Sequence, residues 1–322
     1  MAEAVLYKDP CAFTVKVTAP AAGASGQVIQ LADGRAGVVV GANSASDAYA
    51  SGDQITVAVA GQYTVTKTSS VVLLDGGRAY WDRSANSATF TQASGDFYLG
   101  CVVGDAAAAD TTVVVDLNRK PEYRIELGKG QWANDATNGL GVTATALGGT
   151  GVTLSFDAVA EAAMAAVYSV DTVPVADGPI FEGRVAVYDI GDDAALDISI
   201  GLANGTHATD FDSVTESVLF HLDGNSLTIN AESDDGTTER AATDTTKSAV
   251  DDTFVELWID CRNPADIQMY VDAVNVLPAT VFQLDAATGP LLPIVHIEKT
   301  SNDTTADVRV DWIGVRSTDL TS

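Results

Sequence analysis

Apolar and polar residues alternate in many short runs along the chain. Of all features of the sequence, this period of two limits the possible folds most. Between residues 54 and 59, for example, Ile55, Val57 and Val59 alternate with Gln54, Thr56 and Ala58. Such runs predict strands with one buried face, and the Gly, Asn and Asp residues between them predict turns. Residues 158–167, rich in Ala, Glu and Met, favour helix but fit a strand or a buried loop as well. The sequence therefore predicts an all-β chain.

A polar stretch that follows a Val-rich strand predicts a domain boundary. Asn118-Arg119-Lys120-Pro121-Glu122 ends that strand and contains a proline, as interdomain linkers do. Residues 1–120 contain 8 basic and 11 acidic residues, a formal charge of −3, whereas the rest of the chain carries −24. We expect residues 1–120 to form a small β-barrel-like domain with an extended N-terminal arm (residues 1–26). Residues 122–322 are expected to form a larger domain.

The second domain is predicted to be an antiparallel β-sandwich of the jelly-roll type. Its apolar runs are longer and more widely spaced than those of the first domain. Strands are expected at residues 153–157, 180–188, 196–202, 218–222, 227–230, 254–261, 267–276, 292–299 and 308–315. Many strands separated by polar turns are typical of sandwiches and jelly rolls.

Charge and hydropathy exclude two kinds of partner. The net charge of −27 lies almost wholly in the second domain, where it would repel a phosphate backbone. No apolar run approaches the roughly 18 residues that a membrane span needs. We therefore expect neither nucleic acid nor membrane as a partner.

The three cysteines and the N-terminus point to folding in a reducing cytoplasm. Cys11, Cys101 and Cys261 are far apart and odd in number, which argues against both a disulfide framework and a zinc site. The first residues lack the basic and apolar segments of a signal peptide.

The sequence offers no convincing catalytic constellation, and we expect a protein that is not an enzyme. His221 and His296 lie in apolar runs and are interpreted as strand residues hydrogen-bonded to a neighbour. Glu256 and Asp260 flank Trp258 on one face of a strand, the nearest approach to a glycosidase pair. Carboxylates on an exposed strand face are usually only solvated, so we expect no catalysis there.

Acidic loops raise the question of calcium. Three clusters could supply oxygen ligands: residues 189–193, residues 210–212 and residues 232–236. None matches an EF-hand loop, and ordinary acidic turns are the simpler interpretation of all three. The candidate metal ligands are Asp189, Asp192, Asp193, Asp234 and Asp235. We expect no obligatory cofactor, with Ca²⁺ as the one ion to consider.

The N-terminal arm contains a strand without an obvious local partner. Phe13, Val15 and Val17 alternate with polar residues between two prolines. The strand could be an edge strand of its own domain, or it could add to a neighbouring subunit by β-augmentation. In the second case these three residues are candidate contacts with a partner protein or with another subunit.

The order of elements between residues 52 and 118 resembles a known family. A Gly-Asp-led pair of strands between residues 52 and 65, predicted to form a hairpin, precedes Gly76-Gly77-Arg78-Ala79-Tyr80-Trp81-Asp82, and a Leu-Gly-Cys-Val-Val strand and a Val-rich strand follow. With the turn at Asp33-Gly34, this order resembles the head decoration, or capsid cement, proteins of tailed phages.

That resemblance implies a structural virion protein that decorates and stabilises the phage capsid. Its partners would be the major capsid protein and two further copies in a homotrimer. It would be made in the host cytoplasm and end on the outer surface of the capsid.

A second resemblance concerns the C-terminal part. A Leu257-Trp258-Ile259 strand, a Tyr270-Val271-Asp272 strand and a closing Val310-Asp311-Trp312-Ile313 strand are similar to concanavalin-like and laminin-G-like sandwiches. This implies an outward-facing, lectin-like domain. The alternative function is therefore an adhesion module on the virion surface that binds host-surface glycans.

Overall fold

The computed structural model describes residues 4–8, 13–41, 47–138, 141–144 and 151–317, so Cys11 lies outside the described part. The chain divides into two units, Met1–Glu122 and Tyr123–Ser322. Cys101 and Cys261 are buried free thiols. Among the described residues no helix could reach across a bilayer.

The first unit consists of short strands. Its strands are β1 (Ala4–Lys8), β2 (Thr14–Thr18), β3 (Gly23–Ala24), β4 (Val28–Gln30), β5 (Ala36–Gly41), β6 (Ala48–Tyr49), β7 (Gln54–Ala58), β8 (Gln62–Thr66), β9 (Arg78–Asp82), β10 (Ser87–Thr89), β11 (Phe97–Val102) and β12 (Thr112–Leu117). They form a six-stranded sheet in the order β1-β8-β12-β11-β9-β10, a four-stranded sheet in the order β2-β7-β5-β4 and the pair β3-β6. Side chains from both larger sheets, Trp81 and Val38 among them, share one core.

The pairing of β7 and β8 differs from the prediction. The alternation between residues 54 and 65 predicts a hairpin, but β7 pairs with β2 and β5, whereas β8 pairs with β1 and β12. Gly61, with φ of +108°, lies between the two strands and lets the chain turn from one sheet into the other. The local pattern marks both strands correctly, but it does not tell which strands pair.

Asn118, at the end of β12, connects the two larger sheets. Its left-handed backbone (φ +60°) aims the amide at the four-stranded sheet. The side chain accepts a hydrogen bond from the Ala36 amide at 2.9 Å and donates to the carbonyl oxygens of Ala36 and Val59, each at 2.9 Å. The asparagine that ends the strand in the sequence therefore also fixes its end in space.

A barrel-like closure of this unit stays a prediction. One parallel bridge joins Lys67, just after β8, to Ala88 in β10, and the Thr68 amide donates to the Ala88 carbonyl at 2.9 Å. These contacts bring the far edge of the six-stranded sheet back toward β8.

The second unit contains longer strands. They are β13 (Ile125–Glu126), β14 (Trp132–Thr137), β15 (Gly141–Ala144), β16 (Val152–Phe156), β17 (Glu161–Ser169), β18 (Pro179–Asp189), β19 (Leu196–Ala203), β20 (Glu216–Asp223), β21 (Thr228–Asp235), β22 (Glu239–Ser248), β23 (Val255–Asp260), β24 (Gln268–Val271), β25 (Val274–Val276), β26 (Leu292–Asn302) and β27 (Ala306–Ser317). Two 3₁₀ turns, Val175–Asp177 and Phe211–Ser213, are the helical elements of the described residues.

These strands form the predicted antiparallel sandwich. One sheet has seven strands in the order β14-β17-β26-β19-β20-β21-β22, and the other runs β15-β16-β27-β18-β23-β24-β25, with β13 added beside β27. Alternate residues of both sheets, such as Ile198 in β19 and Leu257 in β23, meet in one large core. The period of two in the sequence thus becomes one face in the core and one face away from it.

The structure decides the conformation of two runs that the sequence pattern left open. Residues 158–167 contribute most of β17, which is a strand and not a helix. The strand lies between β14 and β26 in its sheet, and its alternate alanines, Ala163 and Ala165, pack in the core. The run 267–276 is a tight hairpin, β24–β25, whose turn residues Asp272 and Ala273 both have positive φ.

Candidate functional site

The face of the seven-stranded sheet that points away from the core carries a band of titratable side chains. Strand register places Asp197 of β19 opposite Asp223 of β20 and Glu298 of β26. Two residues further along β19, Ser199 lies opposite His221 of β20. On the other side of β20, Asn230 of β21 lies directly opposite His221, so Glu232 of β21 is the diagonal neighbour of His221. Diagonal neighbours on one face of a sheet are within reach of long side chains.

His221 is the centre of this band. Its side chain is only 8% exposed. Nε2 lies 3.1 Å from Asp223 Oδ1 and 3.6 Å from Asp197 Oδ1. Nδ1 lies 3.6 Å from Glu232 Oε1, just beyond hydrogen-bonding distance, and has no hydrogen-bond partner among the described residues.

A loop between β19 and β20 brings a further carboxylate over the sheet. The 3₁₀ turn Phe211–Ser213 is held down because the Phe211 amide donates to Glu298 Oε2 at 3.0 Å and its ring packs on His296, 4.7 Å between centroids. His296 Nε2 in turn lies 2.8 Å from the same Glu298 oxygen. This anchoring places Asp212 beside His221, with the ligating atoms of Asp212, His221 and Glu232 all within 4.8 Å of one another.

The electrostatics follow from burial among like charges. Burial raises the pKa of Asp197 to about 6, with the His221 imidazole opposing and nearby carboxylates adding to the effect. Burial also raises the pKa of Asp212. Burial by itself disfavours a charged imidazole, but the carboxylates of Glu232, Asp223 and Asp197 outweigh it and raise the pKa of His221 to about 9. The cluster therefore strongly favours positive charge at its centre.

A cavity of about 370 Å³ opens onto the cluster. Its walls are the side chains of the cluster, the outer parts of β20 and β21, and the first residues of β22, Glu239 to Ala242. Most of this lining is acidic or polar, so the cavity suits a cation or a ligand rich in hydrogen-bond donors. Within the described residues, two triads could hold a metal ion: Asp197, His221 and Asp223, and Asp212, His221 and Glu232.

The sequence marked some of these residues but not their grouping. His221 and His296 were expected to be strand residues hydrogen-bonded to neighbours, and the structure agrees. Asp212 and Glu232 belong to acidic clusters noted in the sequence, but nothing linked them to His221 or Asp197. The available signal was a charged residue at an alternate position of an otherwise apolar strand, repeated in β19, β20 and β26.

The five candidate calcium ligands lie in turns or strand ends, and the carboxylates of four of them accept hydrogen bonds from neighbouring groups. Asp189 accepts hydrogen bonds from the Gly191 amide and the Thr305 hydroxyl. Asp193 and Asp234 accept from amides two residues ahead. Asp235 is buried and accepts from the amides of residues 237 and 238 and from the Gln283 side chain. Asp192 contributes its amide, which donates to Thr304 Oγ1. Calcium binding by these five residues stays a prediction.

The carboxylates beside Trp258 are paired with arginines. Asp260 makes a two-pronged ion pair with Arg262, at 2.9 and 2.6 Å, and Glu256 lies 3.6 Å from Arg184. Both are therefore engaged in ion pairs within their own sheet.

The strand of the N-terminal arm, β2, pairs with a strand of its own unit. β2 pairs with β7 and forms the end of the four-stranded sheet, the edge-strand alternative that the sequence left open. Val15 and Val17 are half-buried against a small cluster around Ile55, whereas Phe13 is 65% exposed. Of the three candidate contacts, Phe13 alone is largely exposed, and their contact role stays a prediction.

Residues 9–117 match the model of a family described as phage cement protein. The match covers about a third of the chain and falls within the first unit. It agrees with the resemblance that the order of strands in residues 52–118 suggested. No curated protein matches the chain.

Several solved structures are similar to the chain at a distance. The Emp46p carbohydrate recognition domain in its metal-free form gives a TM-score of 0.41 at 10% identity, covering 57% of this chain and 87% of that one. The alginate lyase AlgAT5 of polysaccharide lyase family 7 gives 0.40 at 12%, covering 56% and 84%. A β-1,3-glucanase from Mycobacterium marinum gives 0.38 at 10%, covering 61% and 99%. Likenesses this distant say nothing about what the chain binds.

Proposed function

We propose that this protein is a structural component of a phage virion that decorates and stabilises the capsid, and that it is not an enzyme. The observation that carries the proposal is the match of residues 9–117 to the phage cement protein family. Stabilisation follows from mass action, because a protein that binds only the intact shell shifts the equilibrium toward that shell.

The division of charge supports docking through the first unit. Residues 1–120 carry a formal charge of −3, so they can approach a protein shell without the large cost of desolvating many charges. The remaining residues carry −24, and a dense array of such units would repel one another unless they pointed outward into salt solution. We therefore assign docking to residues 1–120 and an outward position on the capsid surface to residues 122–322.

The free edge of β2 is the contact that we assign to docking. The Val59 amide donates to the Phe13 carbonyl at 2.8 Å. Because alternate residues of an antiparallel strand direct their backbone N–H and C=O groups at the same neighbour, those of Val15 and Val17 also point toward β7. The alternation then turns the N–H and C=O groups of Thr14, Lys16 and Thr18 toward the other edge, where the described residues provide no further strand. Such an edge accepts a strand by β-augmentation, with the exposed Phe13 ring beside it.

The strand that docks there would come from the major capsid protein or from a neighbouring copy. The trimer is inferred from the family resemblance, and a three-fold arrangement would let each copy offer its β2 edge to the next one or to the shell.

Co-sedimentation with undecorated heads tests the proposal. The full-length chain should bind heads saturably and raise their resistance to heat. Lys16→Pro removes one outward amide without removing a bond to β7, and Phe13→Ser removes the exposed ring. Each should weaken binding, Lys16→Pro by about ten-fold or more if an added strand is lost. Cryo-electron microscopy of the decorated heads would give the copy number and show which unit contacts the shell.

Val250→Ser is the matched control, because Val250 is a comparably exposed (62%) apolar residue in the second unit. It should leave binding unchanged, and all variants should unfold within a few degrees of the parent chain. If the parent chain fails to bind heads, the proposed function is wrong. If it binds and both β2 variants bind equally well, decoration stands but the β2 edge is not the contact.

A further inference from the structure

We propose that Asp212, Glu232 and the Nδ1 atom of His221 form a binding site for a divalent transition-metal ion such as Zn²⁺. The site lies on the outward face of the seven-stranded sheet. It is independent of capsid binding and uses as ligands none of the five acidic residues that the sequence suggested for calcium.

The orphaned nitrogen of His221 is the observation that points to a ligand. The ring is more than nine-tenths buried, and Nδ1 lies 3.6 Å from Glu232 Oε1 without a hydrogen-bond partner among the described residues. A buried polar atom left without a partner costs free energy, and native structures rarely leave one unexplained. A metal ion bound to Nδ1 would satisfy it.

The other side of the ring has the arrangement that metal-binding histidines require. Nε2 lies 3.1 Å from Asp223 Oδ1, with Asp197 Oδ1 at 3.6 Å. A histidine ligand characteristically donates its second N–H to a carboxylate, which fixes the tautomer and makes the coordinating nitrogen a better donor. Asp223 and Asp197 thus orient the ring, and a metal ion would displace the proton on Nδ1 and bind that nitrogen on the side of Glu232.

The distances are close to those of a coordinated ion. Tetrahedral zinc with bonds of about 2.1 Å holds its ligand atoms roughly 3.4 Å apart. His221 Nδ1 and Glu232 Oε1 are 3.6 Å apart, so these two are almost in place. Asp212 completes a triad within 4.8 Å and lies on the exposed 3₁₀ turn, and binding of the ion requires its carboxylate to move closer to the other two ligands. The cavity of about 370 Å³ leaves room for water in the remaining positions.

The ligand set selects the class of metal. An imidazole with two carboxylates suits Zn²⁺ and its first-row neighbours, whereas Ca²⁺ takes six to eight oxygen ligands and seldom a nitrogen. The surrounding carboxylates disfavour any anion. Bound metal would join the loop before β20 to strands β20 and β21, and would therefore stabilise the folded chain by mass action.

The test is titration of the full-length chain, stripped with a chelator, with Zn²⁺, Mn²⁺ and Ca²⁺ separately by calorimetry. One Zn²⁺ ion should bind per chain and raise the melting temperature, and excess Ca²⁺ should not displace it. Glu232→Gln and Asp212→Asn should each weaken Zn²⁺ binding by about 10-fold to 100-fold. In long-range ¹H–¹⁵N spectra, Zn²⁺ should shift the Nδ1 resonance of His221.

Asp234→Asn is the matched control. Asp234 follows Glu232 on the same face of β21 and lines the same cavity, so the variant removes the same charge without removing a proposed ligand. It should change Zn²⁺ affinity by less than about three-fold, as expected for a charge in high dielectric near the surface. The proposal is overturned by any of three results: no saturable Zn²⁺ binding, equal loss in Asp234→Asn and Glu232→Gln, or a shift at Nε2 in place of Nδ1.

Discussion

At the scale of single residues, buried carboxylates hold the loops at the end of the sandwich. Glu216, at the start of β20, accepts hydrogen bonds from the Thr288 amide (2.8 Å), the Thr288 hydroxyl (3.0 Å), the Gly289 amide (2.9 Å) and the Asn204 side chain (3.1 Å). Burial works against the ionised form, but these four donors outweigh it and lower the pKa of Glu216. The charged form is therefore the one that holds the two loops together.

Replacing this carboxylate should cost stability in a way that depends on pH. Because the pKa of Glu216 is lower in the folded chain than the value of about 4.3 in an unfolded one, its contribution is fully present above that pH. The contribution disappears as pH falls through the folded value. Glu216→Gln should thus lose about 1–3 kcal/mol near pH 7, and the loss should shrink progressively as the pH falls below about 4. Urea unfolding across that range measures it.

Glu239→Gln serves as the control, since Glu239 is exposed at the start of β22. Its unfolding free energy should stay within about 0.5 kcal/mol of the parent value at each pH. A Glu216→Gln deficit that persisted undiminished at the acid end would show that shape, and not charge, makes the contribution.

At the scale of elements, the passage from β7 to β8 decides how the first unit is built. Consecutive strands commonly pair, yet these two enter different sheets, and the residue between them with positive φ is Gly61. The Gly61 carbonyl also accepts a hydrogen bond from the Leu117 amide at 3.0 Å, which fixes the turn against the end of β12. The path of the chain here depends on a backbone conformation that side chains other than glycine seldom adopt.

Gly61→Ala should therefore destabilise the first unit by about 1–2 kcal/mol, because a Cβ disfavours positive φ. Crowding adds little, since the new Cβ would lie 3.6 Å from the Tyr63 ring, an ordinary contact. Gly41→Ala is the control in the same unit: its Cβ would also meet only ordinary contacts, with Thr56 at 3.7 Å, and Gly41 is not among the glycines with positive φ. Thermal unfolding of the two variants should differ, and equal melting temperatures would contradict the assigned strain.

At the scale of the whole molecule, the chain divides at Glu122, next to the predicted boundary. The Arg119 side chain is 58% exposed, and its ion pairs with Asp116 and Glu122 are long, 3.7 Å each. Exposed pairs of this kind contribute little to stability. The segment after Asn118 is thus accessible, and whether each unit folds by itself is a prediction that proteolysis can test.

Trypsin should cut first after Arg119, because the Lys120-Pro121 bond that follows is a poor substrate. Two fragments that survive prolonged digestion are expected. Arg119→Gln removes the cleavable bond at this point and should leave the chain largely intact over the same time. A single resistant core that spans the site in the parent chain, or rapid loss of one fragment after the cut, would contradict two independent units.

The sequence by itself determined where most strands lie. In the second unit β16, β18, β19, β23, β26 and β27 coincide with predicted runs, because the period of two is a local property that follows directly from side-chain burial on one face of a strand. The pattern also indicated the all-β class, the sandwich and the resemblance that residues 9–117 carry.

The tertiary structure alone decided which strands are neighbours. Helix-favouring residues became β17 because the strand pairs with β14 and β26 while its alternate residues, Ala163, Ala165 and Val167, pack in the core, and packing outweighs intrinsic propensity. The same holds for the cluster at His221: Asp197, Asp212 and Glu232 come from different strands and a loop, and register brings them together. Pairing is a long-range property set by how both faces of all the strands can be buried at once, and a local pattern does not encode it.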